Sequence, residues 1–163
     1  MIEASPLRYL PSFQCIALLS CIGGSLLACS DPSDPEPKAA FWPLDFETQW
    51  PEVRDCRLSP AEHDGYSIRV FTDPASEHAY VDGEYPFAAG AQLVKAEYAD
   101  EGCTQLARVS GMLKLESGEA PELHDWAWQR ADPRGKLSDA TPASRCAGCH
   151  DSCSNHDYTC TDP

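Results

Sequence analysis

Tyr66-Ser67-Ile68-Arg69-Val70-Phe71 alternates its side chains so that Tyr66, Ile68 and Val70 fall on one face of an extended chain. A period of two is what a half-buried β-strand requires; a helix would scatter the same residues around its axis. Working outward, residues 92–98, 105–116 and 124–130 read as further strands, with Gly111 marking a bulge in the longest of them. The last segment sets His124, Trp126 and Trp128 on one face, a large aromatic contribution to a core or cofactor wall. Asp73-Pro74 opens a short predicted helix through Tyr80, because Asp caps helix N-termini and Pro suits the first helical position; Gly83 ends it. Fourteen prolines and the lack of any sustained helical period argue against a helix bundle. The expected fold is α+β, mainly β: an antiparallel sheet flanked by short helices.

The N-terminal quarter is different. Arg8 precedes a mostly apolar stretch from Cys15 to Ala28 that is too short to span a bilayer comfortably and reads as a secretion signal. It ends in Leu26-Leu27-Ala28-Cys29, which resembles the lipobox of bacterial lipoproteins, so residues 1–28 are expected to leave and Cys29 to carry lipid. Residues 29–40, rich in Ser, Asp, Pro and Glu, have no apolar period and read as a disordered tether. The folded domain is then 41–163. The expected location is outside the cytoplasm, lipid-anchored to a bacterial membrane and facing the periplasm or the exterior.

The chain carries a formal net charge of −14, almost none of it in the signal segment. Such a surface excludes nucleic acid as a partner, since binding it depends on Lys and Arg neutralising phosphates. It also repels anionic headgroups, so membrane attachment falls to the lipid.

Near the C-terminus stands Cys146-Ala147-Gly148-Cys149-His150, the C-x-x-C-H signature of c-type haem attachment. Two thiols three positions apart on a short helix can form thioethers to both vinyl groups, while the adjacent His reaches the iron. Pro142 and Ser144 suit the start of that helix. Of the nine cysteines, Cys15 and Cys21 leave with the signal, Cys29 carries lipid, and Cys146 and Cys149 hold haem c. Cys56, Cys103, Cys153 and Cys160 remain as disulfide candidates; three pairings are formally open, and the seven-residue gap favours Cys153 with Cys160, hence Cys56 with Cys103.

The sixth iron position separates electron transfer from ligand chemistry. Met112 lies on a predicted strand, where burial is the commoner use, and His63, His78, His124 and His156 each read as surface or structural residues. The site is therefore expected to be open or weakly filled. Two other readings stand beside it: a plain electron-transfer c-type cytochrome, and a non-haem disulfide-stapled lipoprotein whose paired thiols serve disulfides or zinc.

Val70-Phe71-Thr72-Asp73-Pro74, Gly83-Glu84-Tyr85-Pro86-Phe87, Gly90-Ala91-Gln92-Leu93-Val94-Lys95, Asp125-Trp126-Ala127-Trp128 and the haem motif follow in an order and spacing that resemble the cytochrome P460 family, which includes the mainly β cytochromes c′. The likeness runs from about Tyr66 to the C-terminus. Thirteen residues follow His150; Asp157-Tyr158-Thr159 is similar to the family's closing segment, and a Cys153–Cys160 staple would stand in for a longer helix. The resemblance implies a homodimer, His150 as proximal ligand, and an open distal face where hydroxylamine is oxidised or nitric oxide binds, with electrons passing to a redox partner. It also implies that Lys95 can be joined covalently to the macrocycle, giving P460-type haem, with Lys114 the second lysine to consider. From alternation alone Lys95 shares a face with Leu93 and Glu97 and reads as an ordinary solvated lysine. Glu97, Glu116 and Asp125 are the candidates for a base near the substrate.

Overall fold

The computed structural model of the chain describes residues 39–59, 65–138 and 142–160. The signal segment, Cys29, most of the tether and His63 lie outside them. Five strands form one antiparallel sheet in sequence order: β1 (Glu52–Leu58), β2 (Ser67–Thr72), β3 (Gln92–Tyr98), β4 (Leu106–Lys114) and β5 (Trp126–Ala131). Three short α-helices accompany it: α1 (Phe46–Gln49), α2 (Glu77–Asp82) and α3 (Ala143–His150). The α+β, mainly β class expected from alternation is the observed one.

Register explains the two cores. Phe71 pairs with Val94, Val94 with Gly111, and Gly111 with Gln129, so this row faces one side, where Phe71 and Val94 pack with Trp42, Phe46, Ala96, Tyr98 and Val109. Val70 pairs with Lys95, Lys95 with Ser110, and Ser110 with Arg130, and this row faces the other way. On that second side Ile68, Val70, Leu93, Met112 and Trp126 pack with Tyr80 and Phe87. The middle strand β3 is thus covered on both faces, with Val94, Ala96 and Glu97 all at 0% exposure.

Four local expectations differ from what is seen. β1 was not among the strands read from alternation, because Glu-Val-Arg-Asp-Cys-Arg-Leu offers no apolar face; it is an edge strand, mostly exposed or half-buried, held by its ladder to β2. Gly111 is in register with both neighbours and is no bulge: a Cβ there would stand 2.4 Å from the Trp42 ring, so glycine is needed to let that indole lie on the sheet. The helix expected from Asp73 starts only at Glu77 after Ser76, because the Asp73 carboxylate accepts from the Gln92 amide at 2.7 Å as well as from the Ala75 amide. Gly83 does end it, in the left-handed conformation. Finally, β5 begins at Trp126, not His124: both His124 and Asp125 are left-handed (φ 62° and 58°), and the Asp125 carboxylate accepts from the Gly118 and Ala120 amides at 3.0 Å each. Ala39, read as part of the tether, pairs with Lys136 in an isolated bridge.

Candidate haem site

Pro142, in an extended conformation, leads into α3, which packs on β5. One helical turn brings Cys146, Cys149 and His150 toward the same side, since residues three and four apart are neighbours on a helix. Ala147 is the buried residue of this helix, Cys146 and His150 are half-buried, and Cys149 is exposed. Cys146 and Cys149 are the free thiols among the described cysteines; the other four form Cys56–Cys103 and Cys153–Cys160. Burial pushes the Cys146 thiol up, so it stays protonated at neutral pH despite Arg130 nearby.

The segment after α3 holds the histidine. A turn of 3₁₀-helix (Asp151–His156) leads to Asp157 and Tyr158, both left-handed, and the Cys153–Cys160 disulfide closes the loop around them. His150 Nδ1 lies 2.6 Å from the Tyr158 carbonyl oxygen and donates its proton there, so Nε2 is the ring nitrogen whose lone pair can serve a metal. The Trp128 ring meets the imidazole edge to face at 4.7 Å. Asp157 ties this loop to the sheet: its carboxylate accepts from the Phe87 amide at 2.9 Å and from Lys114 Nζ at 2.7 Å, while its carbonyl accepts from Trp126 Nε1 at 3.0 Å. Tyr158 stacks on His124 at 3.7 Å, and His124 Nε2 is 2.6 Å from Asp151. Alternation drew attention to Trp126 and Trp128, but no local pattern marked Asp157 and Tyr158 as the hold on His150, because Tyr158 acts through its backbone.

Between α3 and the Val70–Lys95–Ser110–Arg130 row lies a cavity of about 600 Å³, within the range that takes a small molecule or cofactor. Cys146, Cys149 and His150 line it from the helix; Val70, Leu93, Lys95 and Met112 line it from the sheet. On the same face, beside the cavity, Glu97, fully buried, accepts from Arg108 Nε at 2.5 Å and from Ser110 Oγ at 2.7 Å, and Arg130 Nε reaches Ser110 Oγ at 3.3 Å. Four of the residues singled out in the sequence, Lys95, Cys146, Cys149 and His150, therefore share one cavity although fifty residues of chain separate the first from the rest. Met112, Trp128 and the Cys153–Cys160 disulfide also line it, whereas the other lysine, acidic and histidine candidates within the described residues do not. Lys114 is engaged with Asp157 and lies over the Trp126 ring. Glu116 and Asp125 line a different, smaller pocket. His78 is exposed beside Asp82 and Glu84, and His156 stacks on Tyr85. Among the described residues, His150 is the one histidine of the cavity.

The cavity suits a c-type haem. Two free thiols and an imidazole with its Nδ1 fixed lie on one wall, and Val70, Leu93 and Met112 stand opposite with Lys95 among them. No curated protein matches the chain in sequence. The Cytochrome P460 family model matches residues 45–161, which spans all five strands, α3 and the loop that holds His150. The chain belongs to the cytochrome P460 family, whose members are c-type haem cytochromes.

Proposed function

We propose that this cytochrome carries one haem through Cys146 and Cys149, with His150 as proximal ligand, and binds or oxidises small nitrogen species such as hydroxylamine or nitric oxide at an open iron position. The observation that carries the proposal is the composition of the cavity wall: Lys95 faces the same space as the two thiols and His150, and no second histidine among the described residues does. The haem, when bound, supplies an iron that takes small nitrogen ligands and exchanges single electrons. The chain's own part is to fix and to exclude. The Tyr158 carbonyl holds the His150 tautomer, Trp128 packs against its ring, and Val70, Leu93 and Met112 supply the apolar part of the opposite wall. Met112 is buried within a packed core cluster, which supports a wall role over service as a sixth ligand.

Of the candidate bases, Glu97 stands beside Ser110, already accepting from it and from Arg108. Its link to the cavity runs through Ser110, which lines it. Lys95 is proposed to bond to the macrocycle, as in P460-type haem. The test is direct: the reduced protein shows a red-shifted absorption band, and proteolysis yields one haem peptide joining the Lys95 segment to Cys146–Cys149. Lys95→Ala then keeps haem through the thioethers and restores an ordinary c-type spectrum. An ordinary spectrum in the unsubstituted protein, without the joined peptide, sinks the cross-link and leaves the nitric-oxide-binding β-type cytochrome c′ as the reading.

The protein is further proposed to be exported and anchored through lipid on Cys29, to pass electrons to a redox partner, and to work as a homodimer. Two disulfides in the fold support export, since such bonds persist outside the cytoplasm. Cys29→Ser should abolish membrane fractionation and leave a soluble, folded haem protein; mutant protein in the membrane pellet would count against the anchor.

A further inference from the structure

The two ends of the cavity differ in chemistry. Its helix end carries the thiols and packs on β5, and the strand order leaves the far end to β1, about 19 Å away across four inter-strand spacings. Arg57 and Ser59 line that far end. Arg57 pairs in register with Ile68, a cavity-lining neighbour of the Val70 row, so its guanidinium rises from the cavity side of the sheet. Its acidic neighbour is Asp55 on the same strand, with side chains 44% and 80% exposed. A pair so open to water is weak and readily exchanged for a better acceptor. A haem bonded through its vinyl groups carries its two propionates on the opposite edge of the macrocycle.

Resting on the haem reading above, we propose that Arg57 is the counter-ion of a haem propionate, its planar fork bonding the carboxylate with the Ser59 hydroxyl beside it. Arg57 is then a positioning residue. It holds the outer edge of the macrocycle while Cys146 and Cys149 hold the inner one, and its charge favours the reduced iron because reduction adds an electron to the group it faces. The other cations that line the cavity are Lys95 on β3, Arg130 on β5 and Arg145 on α3, so Arg57 is the one carried by its β1 end.

The experiment uses the mature haem protein, with intact mass confirming one haem before any comparison. If the unsubstituted protein lacks that mass increment, the haem reading itself fails, separately from this one. With haem present, Arg57→Gln is expected to lower the reduction potential and to shift the propionate bending band in the resonance Raman spectrum toward that of an unbonded carboxylate. Arg57→Lys should recover most of the potential but not the band, since an ammonium cannot reproduce the fork. Arg134→Gln, which removes the same charge from an exposed turn, should move neither. The proposal is overturned if Arg57→Gln or Arg57→Lys, with haem in place, matches the unsubstituted protein in both readouts, or if Arg134→Gln lowers the potential as much.

Discussion

Removing the Asp157 carboxylate should cost the domain several kcal/mol of stability, on the order of 3–5. The side chains of Asp157 and Lys114 are 7% and 11% exposed, and the carboxylate also satisfies the buried Phe87 amide. Asp157→Ala strands the lysine charge in a place that water barely reaches, a loss of about 3–5 kcal/mol. The backbone adds to this: φ at Asp157 is 48°, a conformation Asp and Asn tolerate and Ala resists by about 1 kcal/mol. Asp157→Asn keeps the backbone preference and an acceptor for Phe87 and loses only the charge, so it should cost about half as much. Urea denaturation of the haem-loaded protein measures both. Asp157→Ala with Lys114→Met removes the stranded charge and should recover about 2–3 kcal/mol of the loss, because replacing both partners of a buried pair by apolar groups is often close to neutral. A loss under about 1 kcal/mol in the alanine variant, or no recovery in the double variant, would refute the assignment of Asp157 as the clamp between the closing loop and the sheet.

Three further outcomes follow from the fold. Replacing Cys56 and Cys103 by Ser should cost about 4 kcal/mol by loop entropy, since the bond closes 47 residues, against about 2.5 kcal/mol for the Cys153–Cys160 pair; thermal melts of the two double variants check the order, and reversal would show that the short bond acts on the site loop rather than on the unfolded chain. Gly111→Ala should destabilise by about 1–3 kcal/mol because the new methyl meets the Trp42 ring, and Gly111→Ala with Trp42→Leu should recover part of it; no destabilisation in the single variant would mean the indole moves aside freely. The Gly118 and Ala120 amides hold the Asp125 carboxyl below its ordinary range. The unfolded chain therefore binds this proton more readily than the folded one, so the contribution is present above the ordinary aspartate pKa and is lost as pH falls through the lowered one. Asp125→Asn should accordingly lessen the fall in urea midpoint between pH 6 and pH 3, and an unchanged fall would remove Asp125 from the acid response.

Which parts of this protein can be read from its residues follows from how each part works. β2, β3 and β4 are legible because burial on a sheet imposes a period of two that survives in Ile68, Val70, Leu93 and Val109. β1 is not, because an edge strand held by backbone ladder bonds needs no apolar face, and its Asp55, Arg54 and Arg57 look like loop. Gly111 misleads in an instructive way: a glycine in a strand signals either a bulge or a close approach, and the residue that decides between them, Trp42, lies 69 positions away. The thiols and His150 are legible because the proposed haem attachment puts all three within five residues, so the chemistry is written as spacing. Lys95 reached the site only through resemblance; alternation alone treats it as solvent-facing, since nothing near it in the chain reveals the cavity that α3 closes over β3.

The hold on His150 is the least legible part, and for a physical reason. A metal-binding imidazole needs its second nitrogen fixed, but the group that does this is the carbonyl of Tyr158, which any residue could supply. What specifies it is conformation: left-handed backbone at Asp157 and Tyr158, the Cys153–Cys160 closure, and the Asp157 bonds to Lys114, Phe87 and Trp126. The residues that orient His150, the proposed iron ligand, are thus the same ones that fasten the C-terminal loop to the sheet. Loosening Asp157 should for this reason affect the His150 ligand geometry and the stability of the domain together, whereas Lys95 and Arg57, on the sheet side of the cavity, can be altered with the loop intact.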